Sequence, residues 1–576
     1  MRLTVVRREP AADAQLAAGL HPILARAYAA RGVRSAADLD TSLARLLPVG
    51  TLEGIPAAVE LLSAHRTGGR VLIVGDFDAD GATSSALMVR ALRSLGFSAV
   101  DFLVPNRFEF GYGLTPEIVA LAALRSPTLI VTVDNGISSH AGVSAARTRG
   151  IDVLITDHHL PGEMLPDANV IVNPNLAGSR FGSRALAGVG VAFYLMAALE
   201  RRLREREGGA AGAPVAAQLL DLVALGTVAD VVPLDANNRV LVAQGLRRIR
   251  AGRCVAGIRA LLAIAGRVAA DLTAADLAFG VAPRLNAAGR IDDMTIGIQC
   301  LLADDPAEAQ RLAVRLDELN EERRAIEARM QTAALAAVRR LTGPGAGATE
   351  RSGVCLFDPD WHQGVVGLVA SRVKERVRRP VIAFAAADPA TLRGSARSIA
   401  GVHIRDVLET IATRHPGLIS RFGGHAMAAG LQLARARLDE FARAFDEEVA
   451  RWMGGRTAAD AVETDGPLSV TEIALETAEA LRAGGPWGQA FPEPSFDGVF
   501  SIKSARVIGE RHLKMWVEPE SSSRSFDAVV FNHFEEGAPG ALPEGLVQLV
   551  YRLDVNEYQG ERRLQLLIDH LLPVAR

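Results

Sequence analysis

Acidic side chains stand directly after an apolar run near the start of the sequence. Asp76, Asp78 and Asp80 follow the run 71–75 and precede a pattern typical of a helix. Three carboxylates this close would repel one another, so a positive charge is expected among them. Alternate carboxylates in an extended segment can converge on a hard cation. The alternative is a solvated acidic loop or a helix N-cap, but three aspartates before a glycine exceed what a cap needs.

Later segments end in similar residues. Asp134 follows TLIVTV, the triplet Asp157-His158-His159 follows IDVLIT, and Asp230 lies among valines in VADVVPL. Asp134 is compatible with a turn residue or a ligand, and Asp230 with a buried ion pair or a ligand. The two histidines are adjacent, so in an extended segment they point in opposite directions. One then faces a metal and the other the substrate.

The donor set as a whole indicates the kind of metal. It offers carboxylate oxygens and an imidazole but no thiolate, which suits Mg²⁺ or Mn²⁺ better than a structural zinc. Four or five carboxylates overcompensate the charge of one divalent ion. We therefore expect two divalent metal ions, Mn²⁺ or Mg²⁺, bridged by one aspartate.

The elements that must position these residues form an α/β fold. From about residue 70, apolar strands alternate with amphipathic helices, which predicts βαβ units and a parallel sheet. Ligands bind at the carboxyl ends of such strands. Separate strand ends therefore assemble one site.

The 576 residues are too many for one core, so several domains are expected. A long charged helical pattern ends in the Gly/Pro-rich linker TGPGAGATERSG, a second α/β pattern follows, and the last hundred residues indicate a small barrel or sandwich. The predicted layout is a helical segment at 1–50, a parallel-sheet domain at 51–265, a helical connector at 266–345, a smaller α/β domain at 350–455 and a β-domain at 465–576.

Composition excludes some protein classes. The formal net charge is -3, so any nucleic-acid contact must come from local basic patches. Three cysteines without a CxxC pair support neither a disulfide framework nor a zinc ribbon. No signal-like apolar region or bilayer-length apolar run is found, so a soluble cytoplasmic protein without membrane contact is expected.

The motifs GDFDADG, VDNG, TDHH and VADVVPL, in this order, resemble those of the DHH phosphoesterase superfamily. The later motifs APRLNAAGR, WHQGVVGLVASR and RFGGHAMAAG resemble the RecJ family, its single-strand-specific 5′-to-3′ DNA exonucleases. The resemblance covers nearly the whole chain. It implies a DHH domain, a long connecting helix, a DHHA1-type substrate-binding domain and a C-terminal OB-type barrel.

The resemblance also implies roles for the metal-binding candidates. Asp78 and Asp80 divide between the two metals, and Asp134 bridges them. His158 and Asp230 complete the second metal site.

Further roles follow from the same resemblance. His159 stabilises charge on the phosphate, Asp157 orients the histidines, and His425 faces the scissile phosphate from the second domain. Many relatives have a histidine where this chain has Val74. The first metal is then held less tightly, or Asp76 replaces the missing ligand.

The remaining candidates bind substrate. Those implied to hold the terminal phosphate or stack a base are Arg107, Tyr112, Arg284, Ser395 and Arg397. Further candidates in the WHQG and GGH motifs are His362, Gln363, Gly423 and Gly424. For Tyr112 a packed aromatic, and for the arginines a surface salt bridge, are the alternative interpretations.

The activity implied is two-metal hydrolysis that releases 5′-mononucleotides from single-stranded DNA during repair and recombination. A narrow channel would exclude duplexes, and Trp516, Phe526 and Tyr551 of the barrel would extend the grip on the strand. Implied partners are a helicase and a single-stranded-DNA-binding protein, with the chain itself a monomer. The rivals are a phosphodiesterase of short oligoribonucleotides, cyclic dinucleotides or pyrophosphate, and a non-catalytic replication scaffold.

Overall fold

A computed structural model describes residues 3–16, 19–106, 109–110, 113–207, 214–342, 351–454, 461–509, 511–534, 540–558 and 560–574. The chain divides into two units. The first comprises Met1–Leu285, Met294–Ala313 and Asp460–Arg576, and the second comprises Asn286–Asp293 and Val314–Ala459.

The N-terminal segment differs from the helical segment predicted for residues 1–50. It begins with strand β1 (Thr4–Arg7), followed by helix α1 (Pro22–Ala29) and three short 3₁₀ turns. β1 pairs in parallel with a strand at Ala461–Thr464. The β-branched residues Val5 and Val6 favour this extended conformation. The helical prediction is therefore wrong for β1.

The predicted parallel sheet is confirmed, with strand order β3-β2-β4-β5-β6. Its three central strands are apolar and almost wholly buried, as expected for a parallel sheet covered on both faces. The chain order reverses between β2 and β4, which makes this the position where doubly wound sheets bind ligands. The elements are α2 (Ile55–Ala64), β2 (Val71–Gly75), α3 (Ala79–Ser94), β3 (Val100–Leu103), α4 (Pro116–Ala123), β4 (Leu129–Val133), α5 (His140–Thr148), β5 (Asp152–Thr156) and β6 (Val170–Val172).

A helical region follows the sheet. Helices α6 and α7 pack against α3, and the predicted long charged helix is present as α13. A π-helical turn, Leu277–Val281, separates α10 from α11. The helices are α6 (Gly188–Arg206), α7 (Leu220–Ala229), α8 (Ala236–Arg250), α9 (Ala256–Ile264), α10 (Ala274–Asp276), α11 (Ala282–Ile291), α12 (Thr295–Leu302) and α13 (Pro306–Thr342).

The second α/β domain is also confirmed. Its sheet has the order β10-β11-β9-β8-β7, with only β7 and β8 parallel. Phe384, Phe441 and Phe445 are fully buried in its core. The elements are β7 (Val354–Phe357), α14 (Val366–Val377), β8 (Val381–Ala386), β9 (Thr391–Arg397), α15 (Ile404–Arg414), β10 (Arg421–Gly424), β11 (Ala428–Ala434) and α16 (Leu438–Met453).

The C-terminal region contains a closed five-stranded barrel of order β13-β14-β15-β17-β16, so the barrel rather than the sandwich is correct. Trp516 is 48% exposed, whereas Phe526 and Tyr551 are 5% and 1% exposed. The expectation that these last two extend the grip on the strand is wrong, because both belong to the barrel core. The elements are β12 (Ala461–Thr464), α17 (Leu475–Ala483), β13 (Phe496–Ile508), β14 (His512–Pro519), β15 (Phe526–Val530), β16 (Gly545–Tyr558) and β17 (Glu561–Pro573).

Among the described residues, a single helix with the length and apolarity needed to cross a bilayer is not found. Only a bent pair, Leu43–Thr51 with Ile55–Ala64, meets both criteria when taken together.

Candidate metal and phosphodiester site

The predicted acidic residues meet at the carboxyl edge of the first sheet. Asp76 directly follows β2, Asp134 follows β4, and Asp157 follows β5. Asp230 lies at the C-terminal cap of α7. The three strands are neighbours in the sheet, so residues far apart in sequence share one edge.

The acidic side chains form a first group around Asp134. One oxygen each of Asp76, Asp78 and Asp134 lies within 4.8 Å of the others. Asp78 is the N-cap of α3, and its Oδ1 accepts a hydrogen bond of 3.0 Å from the backbone N–H of Gly81. Three oxygens at this separation are able to bind one cation.

A second group contains Asp80, His158 and Asp230, whose ligand atoms also lie within 4.8 Å of one another. His158 Nε2 is 3.0 Å from Asp134 Oδ1 and 3.5 Å from Asp230 Oδ2. Asp134 also groups with the two histidines. Asp134 therefore belongs to the first group and is also close to the imidazole of the second.

Asp80 is held in place by the start of another helix. Its two carboxylate oxygens accept hydrogen bonds from the backbone N–H groups of Gly188 (2.6 Å) and Val189 (2.9 Å) in the first turn of α6. The positive end of the helix dipole favours a carboxylate there. Burial and the nearby charge of Asp78 nevertheless raise the pKa of Asp80 to about 7.

The other carboxylates experience the same repulsion. Burial, followed by the charges of Asp80 and Asp78, raises the pKa values of Asp134 and Asp230 well above the ordinary value for aspartate. Such a group of buried carboxylates is stable in its ionised form only with added positive charge.

His158 supplies the nitrogen ligand. Its Nε2 is buried and has no hydrogen-bond partner among the described residues. Burial, together with the charge of His159, lowers the pKa of His158 to about 4, so the imidazole is neutral. A neutral imidazole with an unused nitrogen beside carboxylates fits a divalent cation.

Asp157 and His159 form a pair beside these groups. Asp157 Oδ1 accepts hydrogen bonds from the N–H of His158 (2.7 Å), the N–H of His159 (3.1 Å) and His159 Nδ1 (2.7 Å). Burial favours neutral forms of both side chains, but the hydrogen bond and mutual charge outweigh it. They lower the pKa of Asp157 and raise that of His159 to about 9, so His159 is an imidazolium.

The two histidine rings lie side by side, with centroids 4.5 Å apart. The expectation that they point in opposite directions is wrong, because β5 ends at Thr156 and the chain bends at His159. Side-chain alternation holds only in an extended strand. The contacts of the two rings still differ, since His158 faces carboxylates of the two groups and His159 is bound to Asp157.

Sequence reasoning missed the residues that fix this backbone. Asn173 and Asn175, just after β6, donate Nδ2 hydrogen bonds to the carbonyls of His159 (2.9 Å) and His158 (2.6 Å). Asn135 donates to the carbonyls of Val74 (3.1 Å) and Val133 (2.9 Å). The signal available was amide side chains directly after strands of the same sheet.

Val74 takes no part in the site. Its side chain is fully buried in a hydrophobic cluster with Leu72 and Ile130. Asp76, two residues later, is a member of the first acidic group.

The substrate-binding candidates of the first unit are only partly described. Arg107 and Tyr112 lie outside the described residues. Arg284 is buried in α11, and its guanidinium donates a hydrogen bond to the carbonyl of Gly280 in the π-helical turn.

In the second unit, Arg397 is held by hydroxyl groups. Its Nη1 donates to Ser395 Oγ (3.0 Å) and its Nε to Ser371 Oγ (3.2 Å). Within the described part of the chain it makes no ion pair with a carboxylate. Burial lowers the pKa of Arg397. A partly buried guanidinium without a counter-charge is suited to bind an anion.

Small residues lie beside this arginine. Gly423, Gly430 and Ser395 are register partners across β10, β11 and β9. A Cβ added at Gly423 or Gly430 would meet no atom within 4 Å, so this row is open to solvent. Gly424 has a φ of 145°, and the exposed His425 begins the turn that follows.

The WHQG residues lie before α14. His362 Nδ1 accepts a hydrogen bond of 3.1 Å from the N–H of Gly364. Gln363 donates to the carbonyl of Ala386 (2.9 Å) and accepts from Arg393 (3.4 Å), which fixes it against β8 and β9.

Three family models match the chain in sequence order. They are the DHH family, N-terminal domain (residues 70–227), the DHHA1 domain (residues 350–451) and the RecJ OB domain (residues 464–570).

Curated relatives match over the full length. The single-stranded-DNA-specific exonuclease RecJ of Dickeya dadantii is 55% identical, with 99% of this chain and 100% of the relative covered. RecJ of Escherichia coli is 54% identical, with 99% of both chains covered. This chain belongs to the RecJ family.

Solved structures of RecJ proteins share the fold. RecJ from Thermus thermophilus in complex with Mn²⁺ has a TM-score of 0.81 at 31% identity, covering 100% of this chain and 80% of the RecJ chain. The Mg²⁺ complex of the same protein has a TM-score of 0.75 at 30% identity, covering 100% and 79%.

Proposed function

We propose that this chain is a single-stranded-DNA-specific 5′-to-3′ exonuclease. It hydrolyses phosphodiester bonds, releases 5′-mononucleotides and acts in DNA repair and recombination. The observation that carries this proposal is the pair of acidic groups at the switch point of the parallel sheet, where Asp134 of the first group lies 3.0 Å from His158 of the second. The sequence identity of 55% and 54% to two RecJ exonucleases, which extends over 99% of this chain, supports the same activity.

The residues present fit two divalent cations, Mn²⁺ or Mg²⁺. Asp76, Asp78 and Asp134 would hold the first. Asp80, His158 and Asp230, with Asp134 close to His158, would hold the second. Asp76 then supplies the ligand that many relatives take from a histidine at the position of Val74.

When bound, two divalent cations acidify a water molecule to hydroxide and neutralise charge that develops on the phosphate oxygens. Both nitrogens of the His159 ring keep a proton, because Asp157 accepts a hydrogen bond from Nδ1. The His159 imidazolium therefore presents a fixed positive charge to the phosphate oxygens. Asp157 itself stays ionised and holds the His158–His159 backbone. His158 remains neutral and available as a ligand.

Residues of the second unit bind the strand. Arg397, oriented by Ser395, binds a phosphate, and the open row at Gly423 allows the DNA backbone to approach the sheet. His425 and Gly424 contribute from the turn after β10, with His362 and Gln363 next to α14. Arg107, Tyr112 and Arg284 contribute from the first unit.

The cellular setting belongs to the same proposal. The enzyme acts as a cytoplasmic monomer on single strands exposed by a helicase and handled by a single-stranded-DNA-binding protein. The exposed Trp516 of the barrel stacks on a base of the strand.

Digestion of end-labelled oligonucleotides tests the activity. Single-stranded and duplex substrates, labelled at the 5′ or the 3′ end, are incubated with Mn²⁺, Mg²⁺ or EDTA. We expect 5′-mononucleotides from single strands only, and no product with EDTA or with the variant Asp134→Ala. Degradation from the 3′ end, or activity that resists EDTA, would overturn the proposal.

The rival functions predict different results. A scaffold protein would bind single strands without releasing nucleotides, and a phosphodiesterase of short substrates would cleave dinucleotides in preference to long strands. The retained acidic groups and the barrel favour the exonuclease.

A further inference from the structure

The connection between β5 and β6 is longer than its path requires. The first residue of β6, Val170, pairs with Leu154 of β5, which lies three residues before Asp157. The chain therefore has to return only about 10 Å along the sheet between Asp157 and the start of β6. Residues 157–169 make this connection without a helix, although parallel neighbours are usually joined through one. When extended, such a segment could span about 45 Å. Long loops without secondary structure are commonly functional.

Hydrogen bonds hold the two ends of this connection, but among the described residues none holds its middle. The carbonyls of His158 and His159 are bound by Asn175 and Asn173, and the carbonyl of Asp167 accepts from Arg147 (2.8 Å). Within the described part of the chain, residues 160–165 make no hydrogen bond. We refer to residues 160–165 as the apolar loop.

The apolar loop exposes large hydrophobic side chains. Leu160 is 63%, Met164 75% and Leu165 47% exposed, and Glu163 is the only charged residue among the six. One exposed apolar side chain needs no explanation, but three within six residues indicate a binding surface.

We propose that the apolar loop binds unpaired bases of the strand at the reaction site, and so contributes to the selection of single-stranded substrates. Leu160 directly follows His159 in the chain, so the apolar loop begins next to the residue beside which the proposed function places the scissile phosphate. A nucleotide whose phosphate lies beside His159 has its base within reach of a neighbouring surface. In a duplex the apolar faces of the bases are covered by stacking, whereas in a single strand they are exposed. This inference rests on the proposed exonuclease function.

A substrate without bases tests the proposal. The triple variant Leu160→Ser/Met164→Ser/Leu165→Ser is compared with the unaltered enzyme on a single-stranded oligonucleotide and on the same strand with abasic residues at its 5′ end. We expect the KM for the normal strand to rise roughly 10-fold with kcat unchanged, since a base contact is made equally in the ground and transition states. On the abasic strand the two enzymes should have the same KM.

Leu124→Ser is the matched control. Leu124 is 81% exposed at the end of α4, before β4, and therefore at the opposite edge of the sheet from the site. This variant should behave like the unaltered enzyme on both substrates. Melting with and without Mn²⁺ shows whether the triple variant is folded, and if it is not, Met164→Ser alone must raise the KM at least about 2-fold.

Two results would overturn the proposal. An unchanged KM on the normal strand would show that the apolar loop does not bind the strand. An equal loss on normal and abasic strands would exclude base contact. Failure of the exonuclease function itself is distinguishable, because the unaltered enzyme would then release no nucleotide.

Discussion

At the scale of single residues, Asp134 is the centre of the site. It belongs to the first acidic group and lies 3.0 Å from His158 of the second. Its backbone φ is 60°, a left-handed conformation that non-glycine residues rarely adopt. This conformation turns the chain directly after β4 and places the carboxylate in the first acidic group, next to His158 of the second. The unfavourable backbone geometry is consistent with a functional position.

Asp134→Asn should separate metal binding from folding. The amide removes one buried charge, so repulsion among the carboxylates falls and the metal-free variant should melt at a higher temperature than the metal-free unaltered protein. The rise in melting temperature on adding Mn²⁺ should be lost or strongly reduced, and nuclease activity should fall at least about 100-fold. Melting curves with EDTA and with Mn²⁺ measure both effects. A metal-free variant that melts at a lower temperature would contradict the repulsion argument.

Arg397→Gln tests the anion site of the second unit. The guanidinium is held by Ser395 and Ser371 and lacks a described counter-charge, so its charge is available to a phosphate. Loss of a charged hydrogen bond costs about 1.5–3 kcal/mol, which predicts a roughly 10- to 100-fold rise in KM. Arg405→Gln, which removes an exposed arginine of α15, is the control. Equal KM values for the two variants would remove Arg397 from the binding site.

At the scale of elements, the first residue of α6, Gly188, packs closely against Asp134. A Cβ added to Gly188 would lie 2.7 Å from Asp134 Cβ and 3.0 Å from its Cα. Gly188→Ala must therefore displace either α6 or the turn after β4. Since a misplacement of 1 Å can cost about 100-fold in rate, we expect a loss of roughly that size.

Gly190→Ala is the control for this prediction. Two residues farther along the same helix, the added methyl would first meet Leu186 Cδ2 at 3.0 Å, the end of a side chain that can rotate. Steady-state rates with Mn²⁺ should therefore remain near normal for Gly190→Ala. Equal losses in both variants would mean that a methyl group added anywhere in the first turn of α6, rather than the contact with Asp134, is responsible.

A buried carboxyl group in helix α7, Asp221, is not one of the proposed metal ligands and should make the free energy of unfolding depend on pH. Burial raises the pKa of Asp221 above its ordinary value, although its Oδ2 accepts a 2.7 Å hydrogen bond from the N–H of Val255. The folded chain therefore keeps a proton that the unfolded chain has lost. The free energy of unfolding falls as the pH rises from the ordinary value to the raised value.

Asp221→Asn removes this titration. The melting temperature of the variant minus that of the unaltered protein should increase as the pH rises above about 4, the ordinary pKa of aspartate. Subtraction at each pH cancels groups that titrate in both proteins. A difference that stays constant or shrinks with rising pH would contradict the assignment.

Local patterns predicted most elements that position the site. The buried runs of β2, β4 and β5 are predominantly apolar, so both the strands and the residues at their carboxyl ends could be identified from the sequence. The directions of His158 and His159 could not, because they depend on a bend held by Asn173 and Asn175.

Long-range contacts explain the other differences. β1 was missed because its partner strand, β12, lies at residues 461–464. The sequence around β1 contains no information about a pairing with so distant a segment. Phe526 and Tyr551 lie in strands with apolar residues on both faces, and sequence alone does not show which of these side chains point into a closed barrel.

At the scale of the whole molecule, the N-terminal segment and the C-terminal region belong to the same structural unit. Besides the pairing of β1 with β12, Arg31 binds Asp465 at 2.7 Å and Arg7 binds Asp497 at 2.8 Å. Arg31 and Asp465 are almost fully buried, so loss of either partner would leave an uncompensated charge. Truncation after residue 460 would therefore disturb the N-terminal segment as well as remove the barrel.

A single substitution in the barrel gives a cleaner test of its role in strand binding. Trp516 is exposed on β14, whose alternate residues Met515 and Val517 are buried in the barrel core. Stacking of one base on an aromatic ring contributes about 1–3 kcal/mol, so Trp516→Ala should weaken binding of long single strands roughly 5- to 100-fold. Strands too short to reach the barrel should be cleaved at the normal rate, because the metal-binding residues are unchanged.

Trp452→Ala, which removes another exposed tryptophan on α16, controls for the loss of an aromatic side chain. Affinity measured against strand length distinguishes the outcomes: an equal loss at all lengths, or none at any, would exclude stacking by Trp516 as a source of strand binding.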